Sequence, residues 1–414
     1  MNAPTRRNAC PRLAAPMATG DGLLARLIPS GATIAPDAVI ALCSAARSYG
    51  NGIIEITSRG SIQVRGLSAA STEAFVAAVE PLNVDCADGI PILSNPLNDL
   101  DSAEDLDVTE IVTALRRTVA AAPFASRLAA KVSIIVDGGG DLHLDDVAAD
   151  IRLRAMPGGQ YFHLALGGDA TSAVSLGAVA VSHVADSVRR LLEALAGLAP
   201  HARVKDTLKN GCLPVFARAV SGLTIAGTRP EPQPPAEPIG IHRLRTGDAA
   251  LGIGLPFGHT SSETLQSLMN AAKRIAASGV RTAPGRALLV IGLSTDAASE
   301  LRAEADALGM IIDPADPRRR VIACAGAPIC ASGQISSRSL AAKIAEVLPT
   351  THDRRVIHIS GCAKGCAHPA PTALAAFGRD GVCDILLDGK LSCTVQPETL
   401  PAKVIELMRS PSEH

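Results

Sequence analysis

An internal duplication restricts the fold of this chain more than any other feature of its 414 residues. A segment of about 70 residues that begins at Gly20 recurs from Gly247, at a displacement of 226 to 227 positions. Periodic apolar residues predict similar elements in both copies, with helices over 36–49, 71–82, 262–278 and 296–308 and strands over 53–57, 62–66 and 287–292. We therefore expect two copies of one small α+β unit.

The order strand–helix–strand–strand–helix is typical of a ferredoxin-like unit. Each copy precedes a longer mixed segment, and the Pro-rich stretch 228–238 must be extended, so it separates two halves. We predict an α+β fold of two pseudo-twofold halves, each with a ferredoxin-like unit and a larger mixed α/β unit. The expected parts are an N-terminal segment (1–19), the first ferredoxin-like unit (20–83), the larger unit of the first half (84–225), a linker (226–240), the second ferredoxin-like unit (241–310) and the cysteine-bearing unit (311–414).

The longer segments contain short apolar runs that are typical of strands. Such strands are predicted over 131–136, 161–166, 356–359 and 384–387. The run Gly138–Gly140 is interpreted as a hairpin turn, because no helix with dinucleotide-binding spacing follows it. The Ala-rich stretch 170–198 is interpreted as a helix, since charged residues interrupt it and exclude a membrane span.

Composition excludes several classes of function. A net charge of −1 provides no global field for nucleic acid or an anionic membrane, and 2% aromatic residues argue against stacking on single strands. The first 20 residues lack the apolar segment of a secretory signal. The ten cysteines are therefore expected in a reducing compartment, with the cytoplasm as the default.

Four cysteines near the C-terminus carry the strongest chemical signal. Cys324 and Cys330 have five residues between them, and Cys362 and Cys366 have three. Small residues and glycines surround each sulfur, so backbone amides can approach a bulky anionic group. Two close thiolate pairs on two loops can hold one 4Fe–4S cluster, and we predict these four residues as its ligands.

Two other interpretations of these cysteines stay open. Four thiolates also satisfy a tetrahedral zinc site, although structural zinc sites usually have two to four residues between paired ligands. Buried free cysteines are common, because the thiol behaves as a small apolar group. The other six cysteines have no partner at ligand spacing and receive no role: Cys10, Cys43, Cys86, Cys212, Cys383 and Cys393.

The first half offers basic residues for a binding surface facing a cleft between the halves. In an unbroken strand over 57–65, Arg59, Gln63 and Arg65 would lie on one face. Lys131 opens a further apolar strand and could line the same anion pocket. We predict these four residues as substrate-binding; the alternative is a solvated edge strand and a lysine that caps a strand end.

Together these features resemble the nitrite and sulfite reductase superfamily, from about Cys10 to the C-terminus. The resemblance implies a duplicated nitrite/sulfite reductase-like fold. It implies that the four cysteines hold a 4Fe–4S cluster and that the last, Cys366, also bridges to siroheme. It further implies that the Arg and Lys residues bind the substrate anion and the macrocycle carboxylates.

A more specific resemblance is to one branch, the precorrin-3B synthases of aerobic cobalamin biosynthesis. It rests on the segments 10–17, 20–24, 256–258 and 358–369. Reductases of the superfamily carry a further basic residue in the segment corresponding to 89–92 and an acid at the position of Ala373, and this chain has neither. The resemblance implies an O2-dependent monooxygenase that converts precorrin-3A to precorrin-3B by macrocycle hydroxylation and lactone formation.

This branch also implies a mononuclear non-haem iron, for which His368, and after it His163 and His259, are candidate ligands. No nucleotide or flavin motif is visible, so electrons are expected from an external donor, an NAD(P)H-linked reductase or a ferredoxin. Two other functions stay open. One is a siroheme-dependent sulfite or nitrite reductase, and the other is a non-catalytic electron carrier.

Overall fold

The computed structural model describes residues 11–29, 33–84, 90–351, 353, 355–368 and 372–409. Cys10, Cys86 and Gly89 lie outside these ranges. The helices are α1 (Pro36–Tyr49), α2 (Ala69–Val79), α3 (Thr109–Ala120), α4 (Val184–Leu198), α5 (Val204–Lys209), α6 (Leu213–Ala219), α7 (Ser262–Arg274), α8 (Thr295–Ala307), α9 (Ser337–Val347) and α10 (Leu400–Arg409). Within the described chain, no helix combines the length and apolar character that crossing a bilayer requires.

The strands form four sheets in the described part of the chain. They are β1 (Met17–Thr19), β2 (Gly22–Leu27), β3 (Ile53–Ile56), β4 (Ile62–Leu67), β5 (Ile92–Leu93), β6 (Ile134–Asp137), β7 (Ala149–Ala155), β8 (Tyr161–Gly168), β9 (Val174–Ala180), β10 (Thr224–Ile225), β11 (Gly240–Arg243), β12 (Ala249–Gly254), β13 (His259–Ser261), β14 (Gly279–Ala283), β15 (Ala287–Leu293), β16 (Val321–Ala323), β17 (Ile357–Ser360), β18 (Leu374–Arg379), β19 (Val382–Leu387) and β20 (Lys390–Val395).

Local sequence explains where several helices begin. The side chains of Ser68, Ser261 and Ser294 accept hydrogen bonds from backbone N–H groups in the first turns of α2, α7 and α8. These bonds satisfy donors that have no partner within the helix. Pro36 occupies the first turn of α1, where its missing N–H costs nothing.

The first and third sheets belong to the two repeated segments. Their strand orders are β1-β2-β4-β3-β13 and β11-β12-β15-β14. Helix α1 packs against α7. One apolar core includes Leu42 and Ile54 from the first copy and Leu268 and Val290 from the second. The two copies are therefore stabilised by a shared core.

Each copy also lends an edge segment to the sheet of the other. β13 of the second copy pairs antiparallel with β3 of the first, with Thr260 opposite Ile54. Ile34 of the first copy bridges Val280 in β14 through two backbone hydrogen bonds of 2.8 Å. The positions of Ile34 and Thr260 differ by 226, the displacement of the repeat. The exchange is therefore reciprocal and follows the pseudo-twofold symmetry.

The second and fourth sheets share another topology. Strands β5, β6 and β7 are parallel and β8, β9 and β10 continue antiparallel. Likewise β16, β17 and β18 are parallel and β19 and β20 are antiparallel. Helices α3 and α4 bury the core of the second sheet, and α9 and α10 bury that of the fourth. Because neighbouring parallel strands end at one edge, the loops after β16 and β17 leave the fourth sheet side by side.

The prediction of a hairpin turn at Gly138–Gly140 is wrong. The flanking strands β6 and β7 are parallel neighbours, and such a pair cannot be joined by a tight turn. The connection runs over 138–148, and the Asp137 carboxylate anchors it by accepting the N–H of Gly139 at 2.9 Å and of Leu144 at 2.7 Å.

Two helix predictions also need correction. The stretch 170–198 is not one helix, because its β-branched first part forms β9 between β8 and β10, and α4 follows. In the second copy, α7 ends at Arg274, before Ala276, whose φ of 54° is left-handed. The residues that follow form β14, which was not predicted.

Candidate functional site

Two loops carry the four predicted cluster ligands. Cys324 directly follows β16, and Cys362 lies two residues after β17. The N–H of Gln334 in the first loop donates to the carbonyl oxygen of Gly361 in the second at 2.7 Å. A Cβ on Gly361 would lie 2.8 Å from the Cα of Gly326, so this approach requires glycine. The fold therefore brings the two cysteine loops into direct backbone contact.

The sulfur of Cys324 lies beside two polar groups of the surrounding loops. It accepts a hydrogen bond from the Gly361 N–H at 3.1 Å and lies 3.4 Å from Ser337 Oγ, at the start of α9. A peptide N–H and a helix N-terminus both stabilise negative charge on sulfur.

The first ferredoxin-like unit contacts the loop that carries Cys324 and Cys330 near its second cysteine. The Ala331 N–H donates to the carbonyl oxygen of Gly20 at 2.9 Å. A Cβ on Gly20 would lie 2.2 Å from the sulfur of Cys330, so no larger residue fits without movement. Gly20, the start of the first repeat, is thus part of the surroundings of the cysteines.

The structure brings the two loops into contact, but the four sulfurs do not converge on one point. None of the four cysteines is in a disulfide; Cys366 is exposed and the others are partly buried. Over the residues that the structure describes, no three His, Cys, Asp or Glu side chains form a metal-binding group. Four thiols on adjoining loops, with an amide donor and a glycine beside the sulfurs, nevertheless suit an iron–sulfur cluster in their chemistry.

Charged side chains from both halves meet beside these loops, and we call Asp21, Glu55, Arg65, Arg286 and Arg338 the central polar cluster. Arg65 donates from Nε and Nη2 to the Asp21 carboxylate at 2.7 and 2.6 Å. Glu55 accepts a hydrogen bond from Arg338 Nη2 at 2.7 Å and lies 3.4 Å from Arg65 Nη1. Glu55 thereby joins β3 to α9 of the cysteine-bearing unit. Three guanidinium groups face two carboxylates, so positive charge is in excess.

Three histidines near this cluster stay neutral at physiological pH. Burial, and secondly the charge of Arg338, lower the pKa of His259 to about 4. Burial also lowers the pKa of His358 to about 4, with smaller effects from His368 and Arg286. The pKa of His368 is lowered mainly by burial. The rings of His358 and His368 lie edge to face with centroids 6.0 Å apart.

The structure corrects the predicted polar strand. Arg59 lies in a turn closed by a hydrogen bond from the Thr57 N–H to the Ser61 carbonyl, and β4 begins only after it. Gln63 and Arg65 do share a face of β4, because both contact Glu55. The Gln63 amide, with its oxygen and nitrogen assigned to suit its neighbours, donates to Glu55 at 3.0 Å, and Arg65 Nη1 lies 3.4 Å from Glu55. Strand β4 lies between β2 and β3, so it is not an edge strand.

The remaining basic residues contact the first half. Arg59 donates to Ser133 Oγ at 3.1 Å and to the carbonyl oxygen of Ala148 at 2.6 Å. Lys131 is exposed and lies in a turn before β6, so the prediction that it opens a strand is wrong. The structure therefore brings Gln63 and Arg65 together and places Arg59 and Lys131 elsewhere.

Other candidate residues have structural surroundings. His163 lies 2.8 Å from Ser175 Oγ in the second sheet, where burial lowers its pKa to about 4. Burial raises the pKa of Cys43 to about 12 and of Cys383 to about 11. Both thiols are protonated at neutral pH, as expected of core residues.

Comparison with known proteins identifies the fold. Residues 15–82 match the family model described as the nitrite/sulfite reductase ferredoxin-like half domain. The solved structure of the Mycobacterium tuberculosis NirA protein aligns with a TM-score of 0.77, covering 95% of this chain and 82% of that chain at 18% identity. The predicted nitrite/sulfite reductase-like fold is therefore confirmed.

Comparison with sequence relatives shows to which branch of the superfamily the chain belongs. Precorrin-3B synthase from Sinorhizobium sp. is 38% identical over 387 residues, which cover 93% of this chain and 83% of the relative. The chain belongs to the precorrin-3B synthase family. Ferredoxin–nitrite reductase from Synechococcus elongatus is 26% identical over 89% of this chain and 80% of the relative. Sulfite reductase [ferredoxin] 2 from Mycolicibacterium paratuberculosis is 27% identical over 39% of this chain and 29% of the relative. Both reductases are more distant than the precorrin-3B synthase.

Sequence reasoning missed most of the central polar cluster of this family member. Glu55, Arg286 and Arg338 had no predicted role, and His358 was recognised only as part of the segment 358–369. A weak signal existed, because Glu55 is the lone polar residue of β3 and His358 lies between two isoleucines in β17. Such residues need a buried partner or a ligand, and neither partner lies nearby in sequence.

Proposed function

We propose that this chain is a precorrin-3B synthase, a monooxygenase that converts precorrin-3A to precorrin-3B. The observation that carries the proposal is its 38% identity to a precorrin-3B synthase over 93% of the chain. One atom of O2 enters the macrocycle as a hydroxyl group, and an acetate side chain closes to a lactone. The other atom leaves as water, with two electrons from an external donor and two protons.

The cluster ligands in this proposal are Cys324, Cys330, Cys362 and Cys366. A bound 4Fe–4S cluster supplies one-electron transfer. The protein contributes the adjoining loops, the Gly361 N–H that donates to the Cys324 sulfur at 3.1 Å, and the space beside Cys330 that Gly20 leaves.

The substrate is proposed to lie against the surface where the halves meet. Precorrins are rich in carboxylates, and the excess positive charge of the central polar cluster suits such a ligand. Arg59 and Lys131, both exposed, are proposed to contact carboxylates at the rim. Gln63, beside the central polar cluster, is proposed to orient Glu55, and Arg65, within the cluster, is proposed to orient Asp21.

A mononuclear non-haem iron is also expected in this branch, but the side chains do not identify its site. His163 is bonded to Ser175, and no three potential ligands converge among the residues described. The electron donor is proposed to be a separate reductase or ferredoxin, since the sequence has no nucleotide or flavin motif.

Isotope labelling tests the reaction directly. The anaerobically purified full chain, reduced chemically, is mixed with precorrin-3A and ¹⁸O2, and the product is analysed by mass spectrometry. We expect one ¹⁸O atom per product molecule and no turnover without reductant. If the substrate is recovered unchanged while sulfite or nitrite is reduced by the same preparation, the chain is a siroheme-type reductase instead.

A further inference from the structure

Arg338 is the second residue of α9 and lies beside the loop that carries Cys324. Its neighbour Ser337 has its Oγ 3.4 Å from the Cys324 sulfur and donates to the Cys324 carbonyl oxygen at 3.0 Å. Consecutive Cα atoms are about 3.8 Å apart, so the backbone of Arg338 directly adjoins this contact. Burial lowers the pKa of Arg338, and the charges of Glu55 and Cys324 oppose that change.

A series of contacts also links the Arg338 side chain to the second cysteine of this loop. Arg338 Nη2 donates to Glu55 Oε1 at 2.7 Å, and Glu55 Oε2 lies 3.4 Å from Arg65 Nη1. Arg65 in turn donates to Asp21 at 2.6 Å. The glycine before Asp21 lies against the sulfur of Cys330, where a Cβ would come within 2.2 Å of it. The guanidinium is therefore held at the place where the first ferredoxin-like unit meets the cysteine loop.

One donor of this anchored side chain is not satisfied. Arg338 Nε is buried and has no hydrogen-bond partner within the part of the chain that the structure describes. The other buried side-chain atoms without a partner there belong to Ser187 and His358, which are neutral groups. A guanidinium stays protonated at neutral pH. A buried donor of a charged group without an acceptor is unfavourable, and an anion beside it would remove that cost.

The position of this cation at a helix N-terminus is also unfavourable. The N-terminus of a helix carries partial positive charge, which favours acidic side chains there. Helices α1, α3, α4, α7 and α8 each have an Asp or Glu in the first turn, whereas α9 has none and carries Arg338. In the half without the clustered cysteines, α3 occupies the place of α9 between the first two strands of its sheet, and its second residue is Glu110. The cation is therefore specific to the cysteine-bearing half.

We propose that Arg338 sets the reduction potential of the iron–sulfur cluster, with its Nε donating a hydrogen bond to a cluster or ligand sulfur. The presence of the cluster rests on the proposed function, and the place of Arg338 rests on the contacts of Ser337 and Glu55. A cluster with four thiolate ligands is an anion, and reduction adds a further negative charge. Positive charge and hydrogen bonds at the sulfurs therefore favour the reduced state. Glu55 neutralises part of the Arg338 charge and acts in the opposite direction.

A redox titration of the anaerobically reconstituted full chain tests this role, with dithionite as reductant and the electron paramagnetic resonance signal of the reduced cluster as the readout. Arg338→Gln should lower the midpoint potential by about 59 mV, which is a tenfold change in the one-electron equilibrium constant. Glu55→Gln should raise the potential, because it leaves the Arg338 charge without its counter-charge. A general loosening of the site would not shift the two variants in opposite directions.

Two further variants separate the effects of charge, hydrogen bonding and position. Arg338→Lys keeps the charge but lacks the Nε donor, so it should recover only part of the shift. Arg355→Gln is the matched control, since Arg355 is an exposed arginine of the same unit that lies before β17, whereas Cys362 follows the end of that strand. Its potential should stay within about 18 mV of wild type, a twofold change in the equilibrium constant.

Iron and sulfide analysis of each preparation shows which part of the proposal fails. A wild-type potential in a fully loaded Arg338→Gln chain overturns the role of Arg338 and leaves the proposed function intact. Complete recovery by Arg338→Lys overturns the hydrogen bond from Nε. If Arg338→Gln binds no cluster, Glu55→Gln decides, and an unchanged or lowered potential in that variant overturns the role of Arg338. A wild-type chain that binds no cluster overturns the proposed cofactor, and this inference with it.

Discussion

The guanidinium of Arg65 donates two hydrogen bonds to the carboxylate of Asp21, at 2.7 and 2.6 Å, and so joins the start of the first repeat to β4. The Asp21 side chain is 3% exposed and that of Arg65 is 14% exposed. Burial alone would raise the pKa of Asp21, but the hydrogen bonds and charge of Arg65 outweigh it and hold the pKa below its ordinary value. The pair fixes the segment that carries Gly20 against the cysteine loop.

Asp21→Asn should destabilise the chain by about 3 kcal/mol, because it leaves the Arg65 charge with only the Glu55 carboxylate, which Arg338 also engages. The measurement is urea unfolding of the iron-free chain at pH 7. Asp37→Asn is the control, since Asp37 and Lys273 form an exposed pair, and it should change stability by less than about 0.5 kcal/mol. Equal changes in the free energy of unfolding of the two variants would show that the buried pair contributes no more to stability than the exposed pair.

Gly20→Ala should reduce cluster loading while the fold persists. The added Cβ would lie 2.2 Å from the Cys330 sulfur, so the sulfur or the loop must move. The measurement is iron and acid-labile sulfide per chain after anaerobic reconstitution. Gly197→Ala in α4 is the control, because a Cβ there meets nothing within 4 Å. Wild-type loading in Gly20→Ala would contradict the role of Cys330 as a ligand.

Glu55→Gln should loosen the contact between the first ferredoxin-like unit and α9. The change removes the negative charge that Arg65 and Arg338 share, leaving two guanidinium groups without a counter-charge between them. Hydrogen exchange should accelerate in β3 and in the first turn of α9, and stay unchanged in β8. Uniform exchange across these elements would mean that Glu55 does not join the units.

The lowered pKa of His163 predicts a loss of stability in acid. Its pKa in the folded chain is about 4, mainly because of burial, against an ordinary value of 6.5. The unfolded chain therefore binds a proton that the folded chain does not, and the free energy of unfolding falls as pH drops from 6.5 towards 4. The slope from one such group approaches about 1.4 kcal/mol per pH unit.

His163→Gln should flatten this dependence, measured as the difference in unfolding free energy between pH 7 and pH 5. His259 and His358 contribute slopes of the same sign, so part of the dependence remains in the variant. An unchanged slope would show that His163 does not titrate with unfolding.

Local patterns made much of the fold predictable. The helix predicted over 36–49 has those bounds in the structure, because apolar spacing and an N-terminal proline act within one segment. The cysteine motifs were visible because their ligands lie close together in sequence. The internal repeat predicted the two halves, and the resemblance to a family then implied their reductase-like fold.

Pairings that depend on distant segments were not predictable. The parallel pairing of β6 and β7, the exchange of β13 and the ion pair between Glu55 and Arg338 all join residues that no local pattern relates. Arg338 lies 283 positions from Glu55, and nothing in the sequence around Glu55 indicates which distant residue is its partner. Their roles follow only once the two halves are placed together.

Anaerobic purification with iron and sulfide analysis, followed by extraction of bound tetrapyrrole, distinguishes an iron–sulfur oxygenase from a siroheme-dependent reductase. A 4Fe–4S cluster on the four cysteines predicts about four sulfides and at least about four irons per chain, lost in Cys362→Ser. We also expect no bound siroheme, because the tetrapyrrole is the substrate of the proposed reaction. Stoichiometric siroheme in the purified chain would contradict it and identify an anion reductase.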